Sequence, residues 1–117
     1  MAKIVIYQKP TCTTCRKVYR ILKDSGVDVK SVNYFVQPIP KSKMKELLRK
    51  MGIPARALLR TKEKFYTKLR LGERELSESE ILNLLTRYPD LIQRPIVEKG
   101  RKAILARPAE RIRDLLP

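Results

Sequence analysis

The sequence has 117 residues, of which 43% are hydrophobic, a size and composition typical of one domain with a buried core. Its 27 Lys and Arg outnumber 12 Asp and Glu, and the net charge of +15 favours anionic partners such as oxyanions, acidic proteins or nucleic acid. Histidine is absent, which excludes a histidine general base and a Ser-His-Asp triad, and two cysteines alone cannot complete a tetrahedral zinc site. Because no apolar stretch approaches the ~20 residues that span a bilayer, and the first residues lack signal-peptide features, we expect a cytoplasmic protein without membrane contacts.

The first third of the chain predicts a strand, a helix and a second strand. Residues 3–7 form a short β-branched apolar run, and residues 27–35 alternate between apolar and polar side chains. Between them, apolar positions recur at helical spacing from about residue 13 to 25, with Thr11 and Thr13 as candidate N-caps. A strand–helix–strand unit of this length predicts parallel pairing of the two strands.

Helical patterns follow in the middle of the chain. They cover residues 41–51, a short helix after Pro54 and a weakly patterned stretch over 62–70. The segment Ser77-Glu78-Ser79-Glu80 is a capping box that opens a further helix, which Pro89 closes.

The last third predicts a hairpin and a terminal helix. Residues 95–97 and 103–105 are predicted to form an antiparallel pair, and an amphipathic helix is predicted to start near Pro108 and run through Leu115. The order β-α-β, helices, β-β-α predicts an α/β, thioredoxin-like fold with a four-stranded mixed sheet. We expect a single domain over residues 1–117, with a helical insertion at about 41–88.

The strongest chemical motif is Cys12-Thr13-Thr14-Cys15, which follows the first strand and begins the first helix. At a helix start, free N–H groups and the helix dipole favour a thiolate, so Cys12 is predicted to be the nucleophile. Cys15, one turn along and more covered, is predicted to be the resolving thiol. The alternative is a pair of buried structural cysteines. Candidate residues around the thiolate are Lys9, Thr11, Thr13 and Arg16.

Three arginines stand beside breaks in regular structure and form a second candidate set. Arg60 ends a short helix, Arg94 precedes Pro95, and Arg107 precedes Pro108. Guanidinium groups match tetrahedral oxyanions in geometry and charge, although many basic residues are simply solvated surface charges. Pro95 is a candidate cis-proline that would bring backbone close to the thiol.

Several stretches, found in order along essentially the whole chain, resemble the glutaredoxin-coupled arsenate reductases and their relatives. The matching stretches are Ile6-Tyr7, Pro10-Thr11-Cys12, Cys15-Arg16, Met51-Gly52-Ile53, Arg56-Ala57-Leu58-Leu59-Arg60, Tyr88-Pro89, Leu91-Ile92, Arg94-Pro95-Ile96-Val97 and Arg107-Pro108. The resemblance implies a thioredoxin-like fold with a helical insertion.

The resemblance also implies roles for individual residues. Cys12 would attack arsenate, and Arg60, Arg94 and Arg107 would hold the oxyanion and lower the thiol pKa. Glutathione would then release arsenite, and glutaredoxin would clear the mixed disulfide. Under this interpretation we expect a monomer that binds no cofactor or metal.

One position departs from the reductase pattern and leaves two alternatives open. Such reductases commonly carry serine where this chain has Cys15. In this chain Cys15 would be able to resolve Cys12 internally, by forming a disulfide with it. The Cys-x-x-Cys motif and the terminal residues 112–117 are also similar to Spx-type redox regulators, which bind the RNA polymerase α subunit. The Arg107-Pro108 pair favours the reductases over that alternative. A generic disulfide reductase without an oxyanion substrate is the other alternative.

Overall fold

The computed structural model describes residues 3–116, which divide into two compact units: residues 3–37 with 94–116, and residues 38–93. The first unit contains a four-stranded mixed sheet in the order β2-β1-β3-β4. Its elements along the chain are β1 (Ile4–Gln8), α1 (Thr13–Asp24), β2 (Val29–Asn33), β3 (Ile96–Lys99), β4 (Lys102–Leu105) and a terminal 3₁₀ helix (Ala109–Leu115).

Strand pairing follows the predicted α/β architecture. β1 pairs parallel with β2, with Ile6 opposite Ser31, and antiparallel with β3, with Ile6 opposite Val97. β3 and β4 form the predicted antiparallel hairpin. The sheet packs on α1 through a shared apolar core, in which Ile6, Val18 and Leu22 are fully buried. Burying such side chains contributes roughly 1.5–3 kcal/mol each, so this core fixes α1 against the sheet.

The start of α1 corrects the predicted helix cap. The N-cap residue is Cys12, with φ −78° and ψ 125°, and no side chain caps the helix there. Thr11 lies before the cap and Thr13 is the first helical residue, so both were wrong as N-cap candidates. The cap position requires extended backbone just before the first turn, and Cys12 has that conformation.

β2 ends two residues earlier than the predicted alternation, and the reason is local. The side-chain oxygen of Asn33 accepts a hydrogen bond from the Phe35 amide at 3.0 Å. The backbone carbonyl of Asn33 accepts from the amides of Val36 and Gln37 at 3.1 and 2.8 Å. Such an asparagine-centred turn satisfies the backbone groups that strand pairing would otherwise use. The turn places Tyr34 and Phe35 directly after the strand.

The terminal helix is a 3₁₀ helix, with Pro108 as its N-cap. Its buried residues are Ala109, Ile112 and Leu115, which are spaced by three. That period matches the three residues per turn of a 3₁₀ helix, whereas an α-helix has 3.6. The predicted helix is therefore present at this position, with a tighter winding.

The second unit is helical. It contains α2 (Lys41–Met51), a 3₁₀ helix (Ala55–Leu58), α3 (Lys64–Lys68), α4 (Glu78–Arg87) and a 3₁₀ turn (Pro89–Leu91). The predicted capping box is confirmed: the Ser77 side chain accepts from the Glu80 amide and the Glu80 side chain accepts from the Ser77 amide, both at 3.1 Å. No helix within residues 3–116 is long and apolar enough to cross a membrane.

Two peptide bonds in the first unit are cis. The Arg94–Pro95 bond confirms the candidate from the sequence, and the Arg107–Pro108 bond was not anticipated. Pro95 is buried, and its carbonyl accepts a hydrogen bond from the Ala106 amide at 3.0 Å.

Candidate active site

Cys12 lies where the loop after β1 joins α1. Its amide donates to the Lys9 carbonyl at 2.9 Å, and its carbonyl accepts from the Arg16 amide at 3.0 Å, which begins the helical hydrogen bonding. The side chain is partly exposed, whereas Cys15, one turn along, is fully buried. The first turn of α1 carries no acidic residue, so nothing there opposes a negative charge at the helix start. The accessible thiol is thus the one nearest the positive end of the helix.

The surroundings of Cys12 lower its pKa overall. Partial burial alone raises the pKa, because it penalises the charged form. This effect is outweighed by hydrogen bonds from the backbone amide and thiol of Cys15 and by a hydrogen bond and charge interaction with Arg94. All of these favour the thiolate, which is the nucleophilic form of cysteine.

Cys15 has the opposite tendency. Burial, followed by its hydrogen bond and charge interaction with Cys12, raises the pKa of Cys15 to about 12. At neutral pH its sulfur therefore carries a proton, which it can donate in a hydrogen bond to the Cys12 sulfur. One thiol is activated while its neighbour is kept protonated, so Cys12 is the better nucleophile of the two.

Arg94 brings a guanidinium group to Cys12. It is 7% exposed, and its side chain hydrogen-bonds with the Tyr34 hydroxyl as well as with the Cys12 sulfur. Nε and Nη1 of Arg94 have no hydrogen-bond partner within residues 3–116. A buried donor left without a partner costs about 1–3 kcal/mol, so an oxyanion that reached these donors would recover that cost.

Two aromatic residues hold Arg94 from the side of β2. Tyr34 is 1% exposed, and its hydroxyl accepts from the guanidinium. The guanidinium carbon lies 5.8 Å from the centre of the Phe35 ring, and Nζ of Lys9 lies 4.6 Å from the same centre. The aromatic ring therefore packs with two cations near the thiol.

Arg107 lies beside Arg94, although 13 residues separate them in sequence. Its side chain is exposed, and Nη1 donates to the Arg94 carbonyl at 3.3 Å. The β3–β4 hairpin produces this contact, because it pairs Ile96 with Leu105 and so brings the residues flanking the two strands together. Arg107 thus presents a solvent-accessible cation next to the buried one.

Arg60 belongs to the second unit. Its Nη1 lies 3.5 Å from Oε2 of Glu63 and donates to the Asp90 carbonyl at 3.3 Å. The Arg60 amide also donates to the Leu91 carbonyl at 2.8 Å. These contacts fix the arginine within its own unit and leave its side chain partly exposed.

The remaining predicted residues divide by position. Thr11 and Thr13 are exposed and flank Cys12 in the chain, and Arg16 is exposed and lines a groove along α1. The sequence interpretation missed Tyr34 and Phe35. The sequence did contain a signal for these two residues, because they lie at the end of the second predicted strand. The carboxyl ends of parallel strands lie at one edge of a sheet, and the loop that carries Cys12 begins at that same edge.

Comparisons with known proteins find relatives that match the chain along nearly its whole length. The model of the ArsC family matches residues 7–115. The chain is 33% identical over 117 residues to an arsenate reductase of Escherichia coli, covering 100% of this chain and 83% of that protein. It is 33% identical over 115 residues to the Escherichia coli protein YfgD, covering 97% of each. The solved structure of an arsenate reductase from Vibrio cholerae superposes with a TM-score of 0.93 at 30% identity, over 98% of both chains.

Proposed function

Because the chain belongs to the ArsC family and is an arsenate-reductase-like thiol oxidoreductase, we propose that it reduces arsenate to arsenite through Cys12. The observation that carries the proposal is the buried guanidinium of Arg94, which contacts the Cys12 sulfur and has two donor atoms without partners within residues 3–116. A thiol that reduced only disulfides would need no unsatisfied cationic donors beside it. An oxyanion substrate does need them.

In the first proposed step, the Cys12 thiolate attacks arsenic(V). A sulfur–arsenic bond forms, and one arsenate oxygen leaves as water after protonation. In the second step, another thiolate attacks the Cys12 sulfur. A disulfide forms, the sulfur–arsenic bond breaks, and its electron pair stays on arsenic, which leaves as arsenite. In total, two thiols are oxidised to one disulfide while arsenic(V) is reduced to arsenic(III).

The arginines make the first step possible, because thiolate and arsenate are both anions and repel each other. In the proposal Arg94 and Arg107, both in the first unit, bind the arsenate oxygens. The role of Arg60 stays a prediction from the resemblance to the family. Fixed cationic donors in a partly buried site stabilise the charge that develops on the oxygens during attack. The hydrogen bond from Arg107 to the Arg94 carbonyl supports a shared role for these two arginines.

Two thiols are candidates for the second step. In the proposal glutathione attacks the adduct, and glutaredoxin then reduces the Cys12–glutathione disulfide; both are present in the cytoplasm, where thiols stay reduced. Cys15 is the internal alternative. Its raised pKa of about 12 makes Cys15 a poor nucleophile while Cys12 is charged. Formation of the adduct removes the negative charge of Cys12, which is one cause of the raised pKa. Burial of Cys15, the largest cause, remains. We therefore assign the attack on the adduct to glutathione.

A coupled assay with the purified protein tests the proposed function. We expect arsenate-dependent oxidation of NADPH in the presence of glutathione, glutaredoxin and glutathione reductase, with one arsenite released per NADPH. No arsenite above the protein-free background would contradict the proposal. Disulfide reduction that proceeds without arsenite formation would instead support a generic disulfide reductase. Co-purification with the RNA polymerase α subunit, together with no arsenite formation, would support a redox regulator.

A further inference from the structure

A basic groove runs along one face of α1 in the first unit, with a volume of about 600 Å³. This is within the range of small-molecule sites. Among the described residues, its lining includes three cations and no carboxylate. The lining residues are Gln8, Pro10, Arg16, Tyr19, Arg20, Lys23 and Ser31. A ligand of this groove is therefore expected to be small and anionic.

The three cations are arranged along the helix. Arg16, Arg20 and Lys23 follow the spacing i, i+4, i+7, which puts them on one helix face, and all are exposed. Seven residues of α-helix span about 10.5 Å, so the outer two cations can bind separate anionic groups of one small molecule. Lys17 lies on another face, where it forms an ion pair with Glu110 at 3.0 Å. The charges that face the groove are thus separate from the Lys17 charge, which is paired with Glu110.

Gln8 supplies a second, independent observation. Its side chain is 6% exposed, and Nε2 donates to the Ser31 hydroxyl at 2.6 Å, which fixes the amide orientation. Oε1 has no hydrogen-bond partner within residues 3–116, although the residue lines the basic groove. A buried acceptor without a partner is costly, and a ligand N–H group would satisfy it.

The groove begins next to Cys12. Pro10 and Arg16, which lie two residues before and four residues after Cys12, both line it. The amide of Arg16 donates directly to the Cys12 carbonyl. A molecule held here is adjacent to the turn that carries the nucleophile. The largest effects that lower the Cys12 pKa come from Cys15 and Arg94, so the role of the groove cations is a separate question.

We propose that the basic groove binds the anionic thiol that releases arsenite, with its carboxylates on Arg16, Arg20 and Lys23 and an amide N–H on Oε1 of Gln8. This proposal rests on the proposed function. Glutathione has the required groups: two carboxylates, backbone amides and a thiol. Its thiolate attacks the Cys12 sulfur of the adduct, a disulfide forms, and the electron pair of the sulfur–arsenic bond leaves with arsenic as arsenite. The groove therefore raises the local concentration of the reductant beside its target.

The test separates binding from turnover. S-methylglutathione, which cannot react, is titrated into wild-type protein and into Arg20→Gln, Lys23→Gln and the control Lys17→Gln by isothermal calorimetry. Each variant removes one positive charge from α1. We expect Kd to rise about 5–10-fold in Arg20→Gln and Lys23→Gln, which corresponds to the loss of one charge-assisted contact, and less than 2-fold in Lys17→Gln. In turnover, KM for glutathione should rise by the same factors, while the rate with uncharged 2-mercaptoethanol should stay unchanged.

The outcomes distinguish this proposal from the proposed function. Equal effects of Lys17→Gln and Arg20→Gln would overturn the groove assignment, because they would show only general electrostatic attraction. Arsenite formation without saturable binding of S-methylglutathione would also overturn it and leave the proposed function intact. Selective binding at the groove without arsenite formation would contradict the proposed function and support the groove as a site for anionic thiols.

Discussion

Replacement of Cys12 by serine is expected to eliminate arsenite formation, with a loss of at least ~1000-fold in kcat. The expectation follows from the position of this side chain. Cys12 is the partly exposed sulfur at the start of α1, and the amide of Cys15 and the guanidinium of Arg94 favour its thiolate. A serine hydroxyl at the same place is not ionised at neutral pH and cannot form the bond to arsenic or the later disulfide. The assay is arsenite release under saturating glutathione and glutaredoxin.

Cys15→Ser is the matched control for that variant. It makes the same chemical change three residues away, and a serine hydroxyl can still donate a hydrogen bond to Cys12. If glutathione attacks the adduct, as proposed, Cys15→Ser should retain arsenite formation within about 5-fold of wild type. Loss of activity in Cys15→Ser equal to that in Cys12→Ser would contradict the assignment of glutathione and show that Cys15 is the resolving thiol. Residual activity in Cys12→Ser would contradict the proposed nucleophile.

Replacement of Arg94 by alanine has the second-largest expected effect. Removal of one fixed donor to a developing oxyanion typically costs about 100–1000-fold in rate, and we expect kcat/KM for arsenate to fall by that amount. The variant also removes the charge and hydrogen bond that favour the Cys12 thiolate, so the pKa of Cys12 should rise. Arg94→Lys should recover only part of the activity, because an ammonium group cannot reproduce the planar guanidinium geometry.

Arg101→Ala controls for loss of a positive charge in the same hairpin, because Arg101 lies exposed in the turn between β3 and β4. We expect this variant to keep wild-type kcat/KM within about 2-fold. Thermal unfolding of all three variants shows whether the fold is retained. Wild-type arsenate reduction by a folded Arg94→Ala protein would exclude Arg94 from the substrate site.

Much of the fold follows from patterns that are local in sequence. Apolar spacing located α1 and α2, the Ser77–Glu80 box located the start of α4, and the strand–helix–strand order gave the parallel pair of β1 and β2. Each of these depends on residues within one or two turns of each other, where the physics of periodicity and capping acts directly. The position of Cys12 at the helix start follows for the same reason.

The errors come from competition between local alternatives. Threonine side chains cap helices well, but at the start of α1 the cap position is held by Cys12 through its backbone conformation, without any side-chain bond. Asn33 ends β2 early because its side chain and carbonyl bind three following amides. The period of three in the terminal helix distinguishes a 3₁₀ helix from an α-helix, and a search for amphipathic α-helices does not separate them.

The surroundings of the thiol depend on contacts between distant parts of the chain. Tyr34 meets Arg94 only because β1 lies between β2 and β3 in the sheet. Arg107 meets Arg94 through the register of the β3–β4 hairpin. Composition and spacing mark arginines as candidates for an oxyanion site, but they do not show which guanidinium is buried and lacks partners. Burial of Arg94 depends on the sheet, which brings it next to Tyr34 and Cys12.

The proposed chemistry depends on stabilisation of the Cys12 thiolate by the start of α1 and by Arg94. The most direct test is the pH dependence of Cys12 alkylation by iodoacetamide, followed by mass spectrometry of the peptide that contains both cysteines. We expect a midpoint clearly below the ordinary thiol value of about 8.5 in wild-type protein, an upward shift in Arg94→Ala, and no labelling of Cys15 at neutral pH. A Cys12 midpoint at or above the ordinary value, unchanged in Arg94→Ala, would contradict this stabilisation.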